Sequence, residues 1–160
     1  MKLKGIIDED FVNYKLPCMT LEFPICNGFK CNKINGKQVC QNGALATEPN
    51  IEIDSKALVK RYLSNPITES ICCQGMEPMD SFSDLMLFLH YFRTCYNCND
   101  DVVIYTGYTK EQIADKLELL RKYPNIVVKF GPFLLNRPPR DDEVLGVTLA
   151  SDNQYAEKIS

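Results

Sequence analysis

The chain has one histidine among its 160 residues, and no run of lysines and arginines long enough to make a nucleic-acid arm. With a net charge of -3, it is poorly suited to a phosphate backbone, so nucleic acid is excluded as a partner class. No uninterrupted apolar stretch reaches the about 18 residues of a membrane-spanning helix. The opening Met1–Asp8 is already charged at Lys2, unlike a secretory leader. There is no internal repeat, linker or low-complexity tract. These absences predict one cytoplasmic domain covering residues 1–160, with no membrane among its partners. The length suffices for a real core, and a hydrophobic fraction of 45% supplies the side chains to fill it.

What the chain does have is cysteine: Cys18, Cys26, Cys31, Cys40, Cys72, Cys73, Cys95 and Cys98. Without a leader, thiols are expected to stay reduced, and metal or cluster ligation becomes the better reading for the clustered ones. Cys72 and Cys73 lie in an apolar run and read as core. Cys95-Tyr96-Asn97-Cys98 closes a helix, whereas a redox pair belongs at a helix start, where the dipole lowers the thiol pKa. That pair therefore reads as structural or incidental. Cys26, Cys31 and Cys40 share one Gly- and Asn-rich irregular stretch, residues 24–50, at spacing C-x4-C-x8-C. A loop of that length in a compact domain points to function. Three thiolates can hold an iron–sulfur cluster and leave one iron open. A zinc site needs a fourth ligand. Cys18, Cys95 or Cys98 could provide one, while His90 sits inside the apolar stretch 85–92 and reads as a packing or surface residue. On spacing alone, a cluster, zinc and unligated thiols all stay open.

Periodicity predicts strands at 2–7, 18–23, 67–73, 101–106 and 125–130, with a shorter one at 143–149. Helices are predicted at 55–64, 81–93 and 109–122. The first has Asp54 or Ser55 as N-cap and presents Leu58, Val59, Tyr62 and Leu63 on one face. Ser81 with Asp84, and Thr109 with Gln112, have capping-box spacing. The second helix carries an apolar stripe of Phe82, Leu85, Met86, Leu89 and Phe92, and the third turns Ile113, Leu117 and Leu120 inward. Alternating strands and helices imply an α/β fold with a mostly parallel sheet. Ligands bind such sheets at the carboxyl ends of strands. The cysteine loop, the turn Gln74-Gly75-Met76-Glu77-Pro78 and the segment Thr106-Gly107-Tyr108 all fall at such ends. Gly75 lets the backbone approach a ligand, and Glu77 or nearby carbonyls can accept from an ammonium group.

These segments together resemble the radical S-adenosylmethionine superfamily. Within it, the small activating proteins of anaerobic ribonucleoside-triphosphate reductases are the most similar. Cys40-Gln41-Asn42 is similar to the family's third cysteine with its following Asn, and Gln74–Pro78 resembles its Gly-Gly-Glu-Pro turn. Tyr105-Thr106-Gly107-Tyr108 matches a family strand end. Lys129-Phe130-Gly131-Pro132-Phe133 resembles its Asp-Gly-x-Phe segment, and Ala150-Ser151-Asp152-Asn153-Gln154 its Gly-Ser-x-Asn-Gln motif. The family spacing is C-x3-C-x2-C; here both intervals are longer, with Asn32 to Val39 inserted before Cys40.

The resemblance implies an incomplete (β/α) barrel and a 4Fe–4S cluster on Cys26, Cys31 and Cys40. It implies S-adenosylmethionine on the open iron, held by Gln74, Gly75, Met76 and Glu77 and lined by Asn42, Thr106, Ser151, Asn153 and Gln154. Phe29 is a candidate to pack on the adenine or to anchor the loop. It further implies an oxidoreductase that generates a glycyl radical on a partner reductase, fed by a donor such as flavodoxin or ferredoxin. Two alternatives stay open. One is an activase of another glycyl-radical enzyme such as pyruvate formate-lyase. The other is a non-catalytic zinc or iron–sulfur interaction module. The tail from about Arg137 is expected to cover the site or form a docking surface.

Overall fold

The computed structural model describes residues 1–160 as an open six-stranded sheet with its crossover helices gathered on one face. In chain order the elements are β1 (Lys2–Leu3), β2 (Gly5–Asp10), β3 (Cys18–Phe23), α1 (Lys30–Asn35), β4 (Ile51–Glu52), α2 (Ser55–Leu63), β5 (Ser70–Gly75), α3 (Phe82–His90), β6 (Asp101–Tyr105), α4 (Ala114–Leu120), β7 (Ile126–Phe130), β8 (Arg140–Asp142), β9 (Val147–Leu149) and β10 (Tyr155–Lys158). The main sheet runs β10-β7-β6-β5-β3-β2. The four central strands are parallel, and β2 and β10 join antiparallel at the edges. No helix is long and apolar enough to cross a membrane.

The strand order explains the placement of the helices. From β3 through β5 and β6 to β7, each crossover moves one strand further in the same direction, so α2, α3 and α4 fall on one face. There Leu58, Val59 and Tyr62 of α2, Leu85, Phe88 and Leu89 of α3, and Leu117 and Leu120 of α4 pack on Met19, Leu21, Ile71, Cys73, Ile104 and Val128. The other face carries no helix. It is covered by Tyr14, Leu145 and Leu149, which pack on Cys18, Cys72, Val103 and Val127. Cys72 and Cys73 are both fully buried, one on each face, as their alternation requires. The sheet's two edges do not pair, so the architecture is an open mixed sheet, mostly parallel, and no closed barrel is formed.

Several boundaries differ from the sequence pattern. The 2–7 strand breaks at Lys4: β1 pairs with β4, while β2 continues to Asp10 beside β3. The 67–73 strand shifts to Ser70–Gly75, because its parallel register with β3 runs on to Phe23↔Gly75. Asp54 caps α2, accepting from the Ala57 N–H at 3.0 Å, but Leu63 is 48% exposed and lies off the buried stripe. Ser81 makes no cap bond; the 81–93 helix opens with a 3₁₀ turn at Pro78–Ser81 and ends in a π-turn at Tyr91–Cys95. In the Thr109–Gln112 box only the Gln112 half is made, accepting from the Thr109 N–H at 2.9 Å. The 143–149 strand is reduced to β9, hairpinned to β8 outside the main sheet. The tail, expected to cover the site or form a docking surface, lines the cavity through residues 147–150 and Gln154 and adds an unforeseen edge strand, β10. His90 is exposed.

Gly75 is where the fold is least tolerant of a side chain. Its φ is +86°, and a Cβ there would lie 2.8 Å from the Glu22 Cα and the Phe23 N. Those are backbone atoms of the neighbouring strand and cannot rotate away. Gly75→Ala is expected to lose about 2 kcal/mol or more from backbone strain and overlap, measured as a lower urea midpoint at an unchanged slope.

Candidate functional site

At the carboxyl ends of the parallel strands lies a cavity of about 330 Å³. It has the size of a small-molecule site. Cys26, Cys31 and Cys40 line it together with Asn42, Gln74, Gly75, Met76, Glu77, Thr106 and Gln154. Segments far apart in sequence meet here because each leaves the sheet at the same end.

The cysteine loop is held by its own side chains. Gly28 and Phe29 take positive φ, turn the chain into α1, and place Cys31 on its first turn; Gly36 ends the helix in the left-handed region. The widened interval before Cys40 folds back on itself. Asn32 Oδ1 accepts from the Val39 and Cys40 N–H groups, both at 2.8 Å. The insertion is thereby stored as a helical turn, and Cys40 returns beside the residue after Cys31. Asn35 Nδ2 donates to the carbonyls of Cys31 and Phe133 at 2.7 and 2.8 Å, and its Oδ1 accepts from the Leu135 N–H. The Phe133 N–H donates to Cys31 Sγ at 3.3 Å. Asn42 Nδ2 donates to the Gly75 carbonyl, tying the end of the cysteine segment to the glycine strand end. Burial raises the Cys26 and Cys40 thiols above their ordinary range, so ligation there would release protons.

Glu77 is the hub. It is 2% exposed, and both carboxylate oxygens are engaged. Oε1 accepts from the Thr106 hydroxyl at 2.7 Å and the Met79 N–H at 3.1 Å, and Oε2 from the Gly107 N–H at 2.9 Å. Lys30 Nζ stands 3.9 Å from Oε2. Burial pushes the Glu77 carboxyl up, against the pull of these donors. Its carboxylate is thus spent inside the protein. Asp80 repeats the pattern, accepting from the Asn27 N–H at 2.6 Å, Lys30 Nζ at 3.1 Å and the Tyr108 hydroxyl at 2.6 Å. Lys30 also stands 3.7 Å above the Tyr108 ring centre.

Two sequence-predicted residues lie behind the cavity wall. The Ser151 Oγ accepts from the Leu134 N–H at 3.2 Å, and Asn153 Nδ2 donates to the Pro132 carbonyl at 2.8 Å. They brace the 131–134 segment. Of that motif Ala150 and Gln154 line the cavity, the Gln154 Nε2 donating to the Gly131 carbonyl at 3.3 Å. Phe29 lines it too. No three Cys, His, Asp or Glu side chains converge tightly enough to hold one metal ion. Cluster cysteines each bind a different iron and need not converge on a point; a single tetrahedral ion demands that they do. Cys95 and Cys98 precede β6, at the opposite end of the sheet.

Sequence reasoning passed over Lys30, Asn32, Asn35, Asp80 and Lys129. Only Lys129 carried a local signal: it is a charge inside the fully buried strand Ile-Val-Val-Lys-Phe. The other four act through partners far along the chain or through loop closure.

Comparison with family models, with curated proteins and with solved structures gave no match for this chain.

Glu77→Gln is expected to cost about 1–3 kcal/mol, because an amide NH₂ would face donors already aimed at that site. The pH dependence has a definite sign. A carboxyl raised by burial binds its proton more tightly folded than unfolded, so the folded state is favoured at low pH. That advantage is lost as pH rises from the ordinary 4.5 through the raised value. The stability gap between wild type and Glu77→Gln should therefore narrow across that window, read by urea melts at successive pH values.

Proposed function

We propose that this chain is a radical S-adenosylmethionine activating enzyme, an oxidoreductase that generates a glycyl radical on an anaerobic ribonucleotide reductase. One observation carries the reading. The three loop cysteines and the Gly75–Glu77 strand end, more than thirty residues apart, line one cavity. An open sheet with all its crossover helices on one face is also what a shortened, incomplete (β/α) barrel would present.

Cys26, Cys31 and Cys40 would hold the 4Fe–4S cluster. The cavity fits such a group in the character of its donors: three half-buried thiols, one already accepting an N–H bond, around a space walled by glycine backbone. When bound, the cluster supplies the single electron that cleaves S-adenosylmethionine reductively. The protein's own part is to bind, orient and keep the site dry. Gly75 brings strand backbone to the cavity wall, and Gln74 and Met76 flank it. Asn42 fixes the Gly75 carbonyl, while Glu77 holds Thr106 and Gly107 at the facing wall. Lys30, through Asp80 and Glu77, keeps the cysteine loop closed over the strand ends. Phe29 and Phe133 provide apolar wall. No general base is required. An electron donor of the flavodoxin or ferredoxin kind would complete the cycle.

The test is metal content and electron paramagnetic resonance on anaerobically reconstituted protein. Cys26→Ala, Cys31→Ala and Cys40→Ala should each lose the cluster, and Cys95→Ala should keep it. The reduced cluster's signal should change shape when S-adenosylmethionine is added. Full iron in Cys40→Ala, or zinc in place of iron in the wild type, would end this reading.

A further inference from the structure

Lys129 is a cation with too few partners. It lies in β7, where every residue is buried, and is itself only 6% exposed. Its Nζ donates to the Gly131 carbonyl at 2.9 Å. No carboxylate lies within 4.0 Å of it; the ion pairs of the protein involve other cations. An ammonium has three N–H donors, and one neutral carbonyl leaves its charge uncompensated. A buried charge in that state is costly unless something pairs with it. The carboxylate that acts on it, Glu77, is committed elsewhere, to Thr106, Gly107 and Met79. Burial lowers the Lys129 pKa to about 8, against the pull of Cys31 and Glu77.

The open side of this charge is the cavity. Lys129 lines it with Tyr105, Gln154, Thr148 and Ala150, and its Nζ stands 5.8 Å from the Tyr105 ring centre. The register places Lys129 directly across from Tyr105. One layer further in, on the same face, Val103 and Val127 meet Leu145 and Leu149 and close the floor with apolar side chains. A ligand entering from the strand ends therefore meets Lys129 as the last polar group before the core.

We propose that Lys129 is the cavity's oxyanion anchor: a small ligand places a carboxylate or phosphate group on its Nζ, beside Gly131. The inference rests on the cation and the cavity and holds whether or not the cysteines carry a cluster.

The experiment is a titration of the isotopically labelled full chain, purified anaerobically, with acetate and separately with inorganic phosphate, followed by two-dimensional nuclear magnetic resonance. Sodium chloride at matched ionic strength is the control. Saturable shifts are expected at the Gly131, Thr148 and Ala150 amides and at the Lys129 side chain. Lys129→Met should weaken binding about tenfold or more, the usual loss for a charged hydrogen bond, and Lys129→Arg should retain it. Whichever anion saturates at lower concentration identifies the ligand group as carboxylate or phosphate. Shifts no larger than those with chloride would overturn the proposal. So would unchanged affinity in Lys129→Met, or amide shifts in wild type that leave the Lys129 side chain unmoved. This last reading needs no variant and stands even if a substitution fails to fold.

Discussion

The carboxylate of Glu77 is the constraint on which the site depends. It lies two residues beyond β5, faces the end of β6 through Thr106 and Gly107, and stands within reach of Lys30 in the cysteine loop. Three chain segments with no local reason to meet are thereby held at one carboxyl end of the sheet. Burying an acid is unfavourable, and burial does push its proton affinity up. The fold offsets this by aiming two backbone N–H groups and a hydroxyl at it. Asp80, one 3₁₀ turn later, repeats the arrangement on Asn27 and Tyr108, so Lys30 lies between two acids and above a ring. The cysteine loop is closed by charge and hydrogen bonding more than by packing, and α1 itself buries no side chain.

The helix-free face of the sheet sets the shape of the cavity. Parallel register stacks its side chains in layers. An apolar layer of Cys72, Val103 and Val127 is sealed by Leu145 and Leu149. One step toward the carboxyl ends, Gln74, Tyr105 and Lys129 face open space. The C-terminal hairpin β8–β9 seals the apolar layer through Leu145 and Leu149 and walls one side of the cavity with Val147 and Thr148. Asp142 anchors that hairpin, accepting from the Leu145 and Ala156 N–H groups, both at 2.9 Å. The tail thus limits the depth of the site and completes the sheet through β10.

Much of the fold was legible in the sequence because its signals are local. The runs around Met19, Ile71, Val103 and Val127 alternate or stay apolar over strand lengths, and Leu117 and Leu120 follow the helical period. Misplaced boundaries trace to interactions that periodicity cannot see. Gln74 and Gly75 belong to β5 because β3 pairs with them, and Ser81 gives up its cap role to the turn begun by Pro78. The residues lining the site were legible where a glycine, a carboxylate or a cysteine stood at a predicted strand end. Ser151 and Asn153 were not, since they brace residues 131–134 while Ala150 and Gln154 of the same motif line the cavity.

By itself, the sequence determined an α/β order of elements, a buried pair at Cys72 and Cys73, and three cysteines confined to one loop, because these depend on neighbours along the chain. The tertiary structure decided the rest. It returned Cys40 toward Cys31 through the side chain of Asn32, enclosed Glu77 with donors from β6, and left Lys129 buried with one carbonyl partner. Each is a contact between groups separated along the chain, and its energy depends on burial, which no stretch of sequence specifies until the sheet has assembled.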